Sequence, residues 1–349
     1  MLNYELVISV AFLTVFILCT FGNTISQEIN SPAHHLKDGT FTNTTGISNN
    51  KSLKEIYNWM IDKSREKPNA LDFNLVSPNF DLINQAVKGK TITWIGHASF
   101  LYQNQELNIL MDPHLTERAS PLSFAGPKRY TPPGMKLGQL PKIDIVTISH
   151  NHYDHLDIKT VQRIAKDNPG AVFLVPLGLK QWFLNQSITN VIELDWWEKY
   201  VLKGTTVTFT PVQHWSSRTL LDRNKSLWGG WHFKNSYHSL VHLGDTGYTN
   251  DFKEINEKLG SVDLALIPIG AYEPRWFMKF SHMNPTEAVQ AFIDLGAKKA
   301  IGMHWGSFIL TDEPVDEPPR LLKEVMINKF LKEDLFVTLK HGETIALTN

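Results

Sequence analysis

Three observations on the sequence predict a protein of strands and helices, with either an α/β fold or a mixed sandwich. Short apolar runs rich in β-branched residues recur from residue 91 to residue 339. Stretches with helix-capping residues lie between several of these runs. Histidine or aspartate follows within two residues of the end of several of these runs. Strands interspersed with helices favour a layered architecture, in which side chains at strand ends can meet at one edge.

The apolar runs have the lengths and composition that are typical of strands. Val, Ile, Thr and Phe are frequent in them, and Gly, Pro, Asn or Asp bound many of them. We predict strands at residues 91–95, 107–111, 143–149, 171–175, 207–212, 239–243, 262–267, 299–303 and 336–339.

Helices are predicted at residues 53–66, 158–167, 284–295 and 319–333. The third has the clearest start. Asn284 can cap it, Pro285 suits the first turn, and Glu287 completes a capping-box pattern.

Composition excludes some classes of protein. The 349 residues carry a net charge of −1, with 42% hydrophobic and 20% charged residues. This is ordinary for a globular protein, and no overall charge indicates a nucleic-acid partner. Cys19 is the only cysteine, so disulfides and sets of thiolate ligands are excluded. Any metal must be bound by histidine and carboxylate side chains.

The first 52 residues differ from the rest of the chain. Residues 6–21 are almost wholly apolar, a run that is short for a transmembrane helix of about 20 residues and suits a signal-peptide core. No Lys or Arg precedes it, so a retained anchor stays open. We expect a signal peptide or membrane anchor at 1–26 and an exported or membrane-associated chain: periplasmic, secreted or anchored. Residues 27–52 are polar and predicted to be a disordered linker, which leaves 53–349 as the folded domain.

Four metal-competent residues follow the predicted strand at 143–149. They are His150, His152, Asp154 and His155. Side chains two positions apart in an extended chain point the same way, so His150 and His152 can bind one metal together. Asp154 and His155 come after the chain turns and can face a second metal. Imidazole and carboxylate are the ligands that zinc accepts in the absence of thiolate.

Three further candidates lie at equivalent strand ends. His214, Asp245 and His304 each follow a predicted strand, and Gly244 and Gly247 beside Asp245 allow a close approach of the backbone. The other histidines are weaker candidates. We expect His34, His35 and His341 to be solvent-exposed, and His232, His238 and His242 to be structural.

This set of residues resembles the metallo-β-lactamase superfamily. The resemblance implies a four-layer αββα sandwich with a dinuclear metal site at one edge. It also implies that His150, His152 and His214 bind the first zinc, that Asp154, His155 and His304 bind the second, and that Asp245 bridges both.

Further motifs resemble one branch, the N-acyl-phosphatidylethanolamine-hydrolysing phospholipases D. They lie at residues 94–99, 118–121, 126–130, 214–219, 227–231, 244–248, 270–278 and 304–306. The branch implies a phosphodiesterase with two zinc ions per chain that releases N-acylethanolamine and leaves phosphatidic acid. The implied catalytic residues are Asp154, Asp245 and His282, the last as proton donor or phosphate contact. The expected partners are the phospholipid substrate and a membrane surface, without nucleic acid, and a homodimer is left open.

Residues 119–141 contain no acidic side chain. They carry Lys128 and Arg129, with Phe124 and Tyr130 as apolar neighbours, a composition that suits an anionic lipid surface or a solvated loop.

The branch motifs add Arg218 and Trp276 as predicted substrate or membrane contacts, although the stretch around Trp276 also suits a core. Two other functions stay open. One is a related hydrolase of a soluble phosphodiester or lactone, and the other is a metal-binding protein without catalysis.

Overall fold

A computed structural model describes residues 32–47, 51, 53–61, 75–84 and 90–347. In that part of the chain, two seven-stranded mixed sheets pack face to face and helices cover both outer surfaces. The predicted αββα sandwich is therefore confirmed.

The first sheet comes mostly from the first half of the domain, and its order is β14-β1-β2-β3-β4-β5-β6. Pairing is antiparallel from β14 to β3 and parallel from β3 to β6. The strands are β1 (Thr91–Gly96), β2 (Ser99–Gln103), β3 (Asn108–Met111), β4 (Ile145–Thr147), β5 (Val172–Pro176), β6 (Val191–Leu194) and β14 (Thr344–Ala346).

The second sheet has the order β13-β12-β11-β10-β9-β8-β7. Pairing is parallel from β13 to β10 and antiparallel from β10 to β7. The strands are β7 (Lys199–Leu202), β8 (Thr205–Thr210), β9 (Gly230–Lys234), β10 (Ser239–His242), β11 (Leu264–Pro268), β12 (Lys299–Met303) and β13 (Phe336–Thr338).

The helices form the outer layers. They are α1 (Leu53–Ile61), α2 (Phe80–Asn84), α3 (Ile158–Asp167), α4 (Lys180–Asn185), α5 (Asp251–Leu259), α6 (Arg275–Met278), α7 (Pro285–Asp294) and α8 (Glu317–Asn328). α3 and α4 bury apolar side chains against the first sheet, and α5, α7 and α8 do so against the second. The capping box of α7 forms as predicted, because Asn284 accepts from the N–H of Glu287 and Glu287 accepts from that of Asn284.

The main core lies between the sheets. Its largest fully buried side chains include Trp94, Phe100, Phe209, Trp231 and Phe233. Truncating an aromatic residue in such a core costs about 3–5 kcal/mol. This core fixes the two sheets relative to each other, and with them the loops that leave one edge of the sandwich.

Strand direction brings the candidate ligands to that edge. β3 to β6 are parallel to one another, and β8, β10, β11 and β12 share one direction in the second sheet. The loops after β4, β8, β10 and β12 carry the candidate ligands and lie at the carboxyl ends of strands that share a direction within their sheet. Ligand-binding sites of α/β proteins form at such ends.

The predicted disordered linker is wrong for residues 32–47. These residues are polar, but they lie on the sandwich and find specific partners there. Thr42 and Asn43 are buried, and His35 and Phe41 pair as an isolated β-bridge. Hydrogen bonds to buried groups of the domain replace the apolar contacts that the segment lacks.

The predicted localisation is also corrected. Among the described residues, no helix has the length and apolar character needed to cross a bilayer. The predicted signal peptide or anchor at 1–26 lies outside the described residues.

Candidate metal centre

The loop between β4 and α3 carries four of the candidate ligands. Its turn is closed by the N–H groups of His155 and Leu156, which both donate to the carbonyl of His152. Asp157 then caps α3 by accepting from the N–H of Lys159. Because of this tight turn, His150 and His152 lie in one group of side chains, and Asp154 and His155 lie in a neighbouring group.

The first group joins His150, His152 and His214, with Asp245 beside them. Nδ1 of His152 lies 2.8 Å from Nε2 of His150. The same Nδ1 atom lies 3.3 Å from Nε2 of His214. Oδ2 of Asp245 is 3.8 Å from Nε2 of both His150 and His214. All four side chains thus direct a donor atom at one point.

The second group joins Asp154, His155 and His304 on the other side of Asp245. Oδ2 of Asp154 is 3.4 Å from Nε2 of both histidines. Nε2 of His155 is 3.1 Å from Oδ2 of Asp245, and Nε2 of His304 is 3.1 Å from its Oδ1. Asp245 is therefore shared between the two groups.

These separations fit metal ligation. Four ligands at about 2.0–2.1 Å from a tetrahedral zinc lie about 3.3 Å from one another. Nε2 of His155, Nε2 of His304 and Oδ1 of Asp245 are buried and have no hydrogen-bond partner among the described residues. Buried lone pairs that converge in this way are costly unless a cation satisfies them. The donor set is composed of nitrogen and oxygen only, as the sequence requires.

Electrostatics suit the same interpretation in the first group. Burial lowers the pKa of His150 and His214 well below the ordinary value, and lowers the pKa of His152 to about 4. The three imidazoles are therefore neutral at neutral pH, which is the form that binds a metal.

In the second group the carboxylates outweigh burial. Burial alone would lower the pKa of His304, but Asp245 and Asp154 raise it to about 9 and raise the pKa of His155 well above its ordinary value. Burial opposes ionisation of the two aspartates, yet the histidines hold their pKa values well below the ordinary range. The two carboxylates thus require positive charge between them, which protons or a metal ion can supply.

Comparison with known proteins places the chain in a family. Residues 107–305 match the family described as beta-lactamase superfamily domain. The chain belongs to this superfamily. A relative from Methanopyrus kandleri, 28% identical over 72% of this chain and 98% of its own length, is described as a metal-dependent hydrolase. The histidine and aspartate groups found here could hold a metal ion.

Two curated relatives assign the branch. An N-acyl-phosphatidylethanolamine-hydrolyzing phospholipase D 1 of Caenorhabditis elegans is 47% identical over 73% of this chain and 75% of its own length. A mitochondrial phospholipase D of the same description from Saccharomyces cerevisiae is 39% identical over 66% of this chain and 50% of its own length, so the match spans half of that protein. This chain therefore belongs to the phospholipase D branch of the β-lactamase superfamily.

A solved structure supports the fold alone. A metallo hydrolase from the archaeon Ignicoccus hospitalis is 22% identical and superposes with a TM-score of 0.56, over 75% of this chain and all of that one.

Within this superfamily fold, Asp112 positions two of the ligands. It lies at the end of β3 and is fully buried. It accepts from the N–H of Ser149 at 2.7 Å, from its hydroxyl at 2.6 Å, and from Nδ1 of His155 at 2.8 Å. The last bond places the proton of His155 on Nδ1, which leaves Nε2 for a metal. The Ser149 hydroxyl also contacts Nδ1 of His150 at 2.9 Å.

The predicted close approach at Gly244 is observed. Gly244 has a φ of +61°, and a Cβ there would lie 2.5 Å from the Cβ of Ser149. Any side chain at this position would push the Asp245 loop away from the loop that begins at His150.

His97 is a neighbour of the second group that the sequence did not mark as a candidate. It lies in the turn between β1 and β2, is buried, and has Nε2 2.9 Å from Oδ2 of Asp154. Its ring centroid is 4.0 Å from that of His304. His97 lies in the motif at residues 94–99, but no local spacing in the sequence links it to Asp154, which is 57 residues away.

His282 lies beside both groups, where it could contact a bound substrate. Its ring centroid is 5.3 Å from that of His214 and 5.4 Å from that of His304, and its buried Nδ1 has no hydrogen-bond partner among the described residues. Burial lowers the pKa of His282 to about 4, so the neutral imidazole suits a contact better than an acid.

Arg218 has a different setting from the predicted substrate contact. Its guanidinium donates to the carbonyls of Asn151 and Leu156 at 2.8 Å and packs on Tyr153, whose hydroxyl donates to the carbonyl of Arg218. These two bonds, both from Nη1, hold the ligand-bearing loop, and the Arg218 side chain also lines a groove beside that loop.

The predicted surface residues divide into two sets. Lys128 and Phe124 are exposed, the latter by 78%, and Trp276 is 55% exposed. Arg129 is 8% exposed, so the prediction of a membrane contact there is wrong. Its guanidinium donates to the carbonyls of His114 and Thr116 instead, since it lies beneath the loop.

The remaining histidines are mostly structural. His232, His238 and His242 are buried, as predicted. The expectation for His341 is wrong, because it is buried and its Nε2 lies 2.9 Å from the hydroxyl of Ser307. The expectation of exposure is also wrong for His34 and His35, which are part-buried against the domain.

Proposed function

We propose that this chain is a zinc-dependent phosphodiesterase with two zinc ions, which hydrolyses N-acyl-phosphatidylethanolamine to N-acylethanolamine and phosphatidic acid. The observation that carries the proposal is the shared aspartate, Asp245, between two ligand groups of nitrogen and oxygen donors. The descriptions of the nematode and yeast relatives support the choice of substrate.

The ligand residues would hold the metals as the two groups suggest. His150, His152 and His214 would hold the first, Asp154, His155 and His304 the second, and Asp245 both. When bound, two zinc ions would neutralise the phosphodiester and lower the pKa of water at the site.

The protein's own groups would orient the reaction. The carboxylate of Asp245 spans both groups and would fix the distance between the metals. Asp154 is held by the hydrogen bond with His97 and cannot rotate freely. Nδ1 of His282 has no hydrogen-bond partner among the described residues and would hydrogen-bond a phosphoryl oxygen of the substrate. The water oxygen bonds to phosphorus, the bond from phosphorus to the ethanolamine oxygen breaks, and that oxygen takes a proton.

A groove beside the ligand-bearing loop suits a lipid. It encloses about 620 Å³ and runs between this loop and the loop at residues 115–123. Its lining is mixed: it includes the apolar Leu122 and Leu156, the basic Arg118, Lys159 and Arg218, and the acidic Glu117 and Asp157. An acyl chain and an anionic headgroup would each find a suitable surface there. This groove favours a phospholipid over a small soluble phosphodiester or a lactone.

Product analysis tests the proposal. Incubation of the purified chain with N-acyl-phosphatidylethanolamine should yield N-acylethanolamine and phosphatidic acid in equal amounts. A chelator should stop the reaction, and added zinc should restore it. Release of fatty acid in place of these products, or full activity in excess chelator, would refute the proposed reaction.

A further inference from the structure

Asn43 forms a paired hydrogen bond with the backbone of a candidate metal ligand. Its Nδ2 donates to the carbonyl of His214 at 3.0 Å, and its Oδ1 accepts from the N–H of His214 at 3.0 Å. The two residues are 171 positions apart, and Asn43 is 3% exposed. A buried side-chain amide thus takes both backbone groups of one residue at the edge of the metal centre.

The remaining bonding capacity of this amide is also used. Oδ1 accepts a second bond from Nε1 of Trp228 at 3.0 Å, and Nδ2 donates a second bond to the carbonyl of Ile47 at 3.0 Å. A primary amide has two donors and two acceptor sites, so Asn43 is fully satisfied in this orientation. Exchanging its oxygen and nitrogen would set donor against donor at His214, which fixes the orientation.

His214 needs such support because of its place in the fold. It lies beyond the end of β8 at Thr210, outside the regular ladder of the sheet. Asn43 supplies the two backbone bonds that a neighbouring strand supplies within a sheet. The carbonyl of Ser281 lies 3.1 Å from Nδ1 of the His214 ring, which leaves Nε2 directed at the first ligand group.

The segment that carries Asn43 is fastened on both sides. Before it, Nε2 of His34 and of His35 lie 2.6 and 2.8 Å from the two oxygens of Asp195. After it, the hydroxyl of Thr44 donates to Asp251 at 2.7 Å. The amide is therefore held in place from the segment's own contacts and does not depend on His214 for its position.

We infer that Asn43 is a positioning residue of the metal centre, which orients His214 for the first of the two proposed metal ions. The inference rests on the proposed metal centre. Through Asn43, the polar segment at 32–47 contributes to the geometry of the metal centre.

The test compares Asn43→Asp with Thr44→Val in the full chain. The carboxylate introduced in the first variant would keep the shape and the acceptor, but its second oxygen would face the carbonyl of His214 without a proton to donate. Thr44→Val removes one hydrogen bond of the same segment without touching His214. The affinities for Zn²⁺ are measured by competition with a chromogenic chelator, well below the melting temperature of each variant. Loss of an outer partner of a metal-bound histidine costs about 10–100-fold in affinity.

We expect Asn43→Asp to weaken one of the two zinc sites by that factor and to leave the other within about twofold of the wild type. Thr44→Val should keep both affinities. Asn43→Ala, which removes all four bonds without adding charge, should weaken the same site. Unchanged affinities in both Asn43 variants, or equal weakening of both sites, would overturn the inference.

The same measurement separates this inference from the proposed function. Wild-type protein that binds two zinc ions but does not cleave the lipid would refute the function alone. Lipid cleavage with unchanged zinc affinities in the Asn43 variants would refute the inference alone. Wild-type protein that binds no zinc would overturn both.

Discussion

Asp245 is the residue on which both halves of the metal centre depend. One of its oxygens lies among the donors of the first group and near His155, and the other lies near His304. It is buried, so no solvent can replace a lost carboxylate oxygen at this place.

We predict that Asp245→Asn lowers the lipid hydrolysis rate by more than about a hundredfold, since even an outer-shell change costs 10–100-fold. The amide offers one acceptor oxygen and no charge, so elemental analysis should show fewer than two metals per chain. Asp263→Asn is the matched control, because Asp263 precedes β11 at the opposite edge of the sandwich. Wild-type metal content and rate in Asp245→Asn would contradict the shared-ligand interpretation.

At this scale the sequence predicts the residues whose signal is local. The cluster from His150 to His155 has four donors within six positions, and strand ends point to His214, Asp245 and His304. Asn43 has no such signal, and the strand-end positions of His97 and Asp112 do not reveal which side chains these two residues contact. Their contacts are with residues far away in the chain, and only the folded arrangement creates these contacts.

At the scale of elements, long apolar runs predicted strands, and strands without such a run were missed. All nine predicted strands are present; the strand at 299–303 has the predicted ends, and the other eight have shifted ends. The sequence did not predict five others: β2, β6, β7, β9 and β14. β7 begins with lysine and is half exposed, β9 begins with glycine, and β14 has three residues. Their extended state comes from neighbouring strands rather than from their own composition.

The stretch at residues 119–141, whose composition suits a lipid surface, includes an exposed loop at residues 119–128. Arg118 bonds the carbonyl of Gly126, and Arg118 and Lys128 pair as an isolated β-bridge, so the tip with Phe124 is held out from the domain. Its shape does not depend on the side chain of Phe124.

We predict that the double variant Phe124→Ser, Lys128→Gln loses at least about fivefold in activity on anionic vesicles. One surface lysine contributes about 1 kcal/mol of attraction to such a membrane, and an inserted aromatic ring adds to it. Activity on a short soluble phosphodiester should change less than twofold. Phe330→Ser is the control, since Phe330 is 97% exposed but follows α8, at the edge away from the ligands. Equal losses on both substrates, or an equal loss in the control, would contradict lipid docking by this loop.

At the scale of the molecule, two sheets and a polar segment build one site. The first sheet contributes the loop after β4, the second contributes His214, Asp245 and His304, and residues 32–47 cross to His214. The α/β class followed from strand and helix patterns, and the four-layer αββα sandwich followed from the resemblance to the superfamily. The role of the polar segment did not, because low hydrophobicity cannot reveal hydrogen bonds to buried partners. The homodimer stays a prediction.

Buried histidines outside the metal centre make stability depend on pH. His232 in β9 is buried, and burial lowers its pKa to about 4. The unfolded chain binds this proton near pH 6.5, so stability is lost as pH falls from 6.5 toward 4. We predict that the stability of wild type relative to His232→Gln falls by about 1.4 kcal/mol per pH unit in this window. Urea unfolding at several pH values measures it, and comparing the two proteins cancels the effect of metal release. A difference that stays constant from pH 7 to pH 4.5 would contradict the burial of a neutral imidazole.

We propose that water attacks phosphorus at a centre of two metal ions. The most direct measurement is hydrolysis of N-acyl-phosphatidylethanolamine in ¹⁸O-labelled water, followed by mass analysis of each product. We expect one labelled oxygen in phosphatidic acid and none in the released N-acylethanolamine. Label in N-acylethanolamine, or in a free fatty acid without formation of phosphatidic acid, would contradict it.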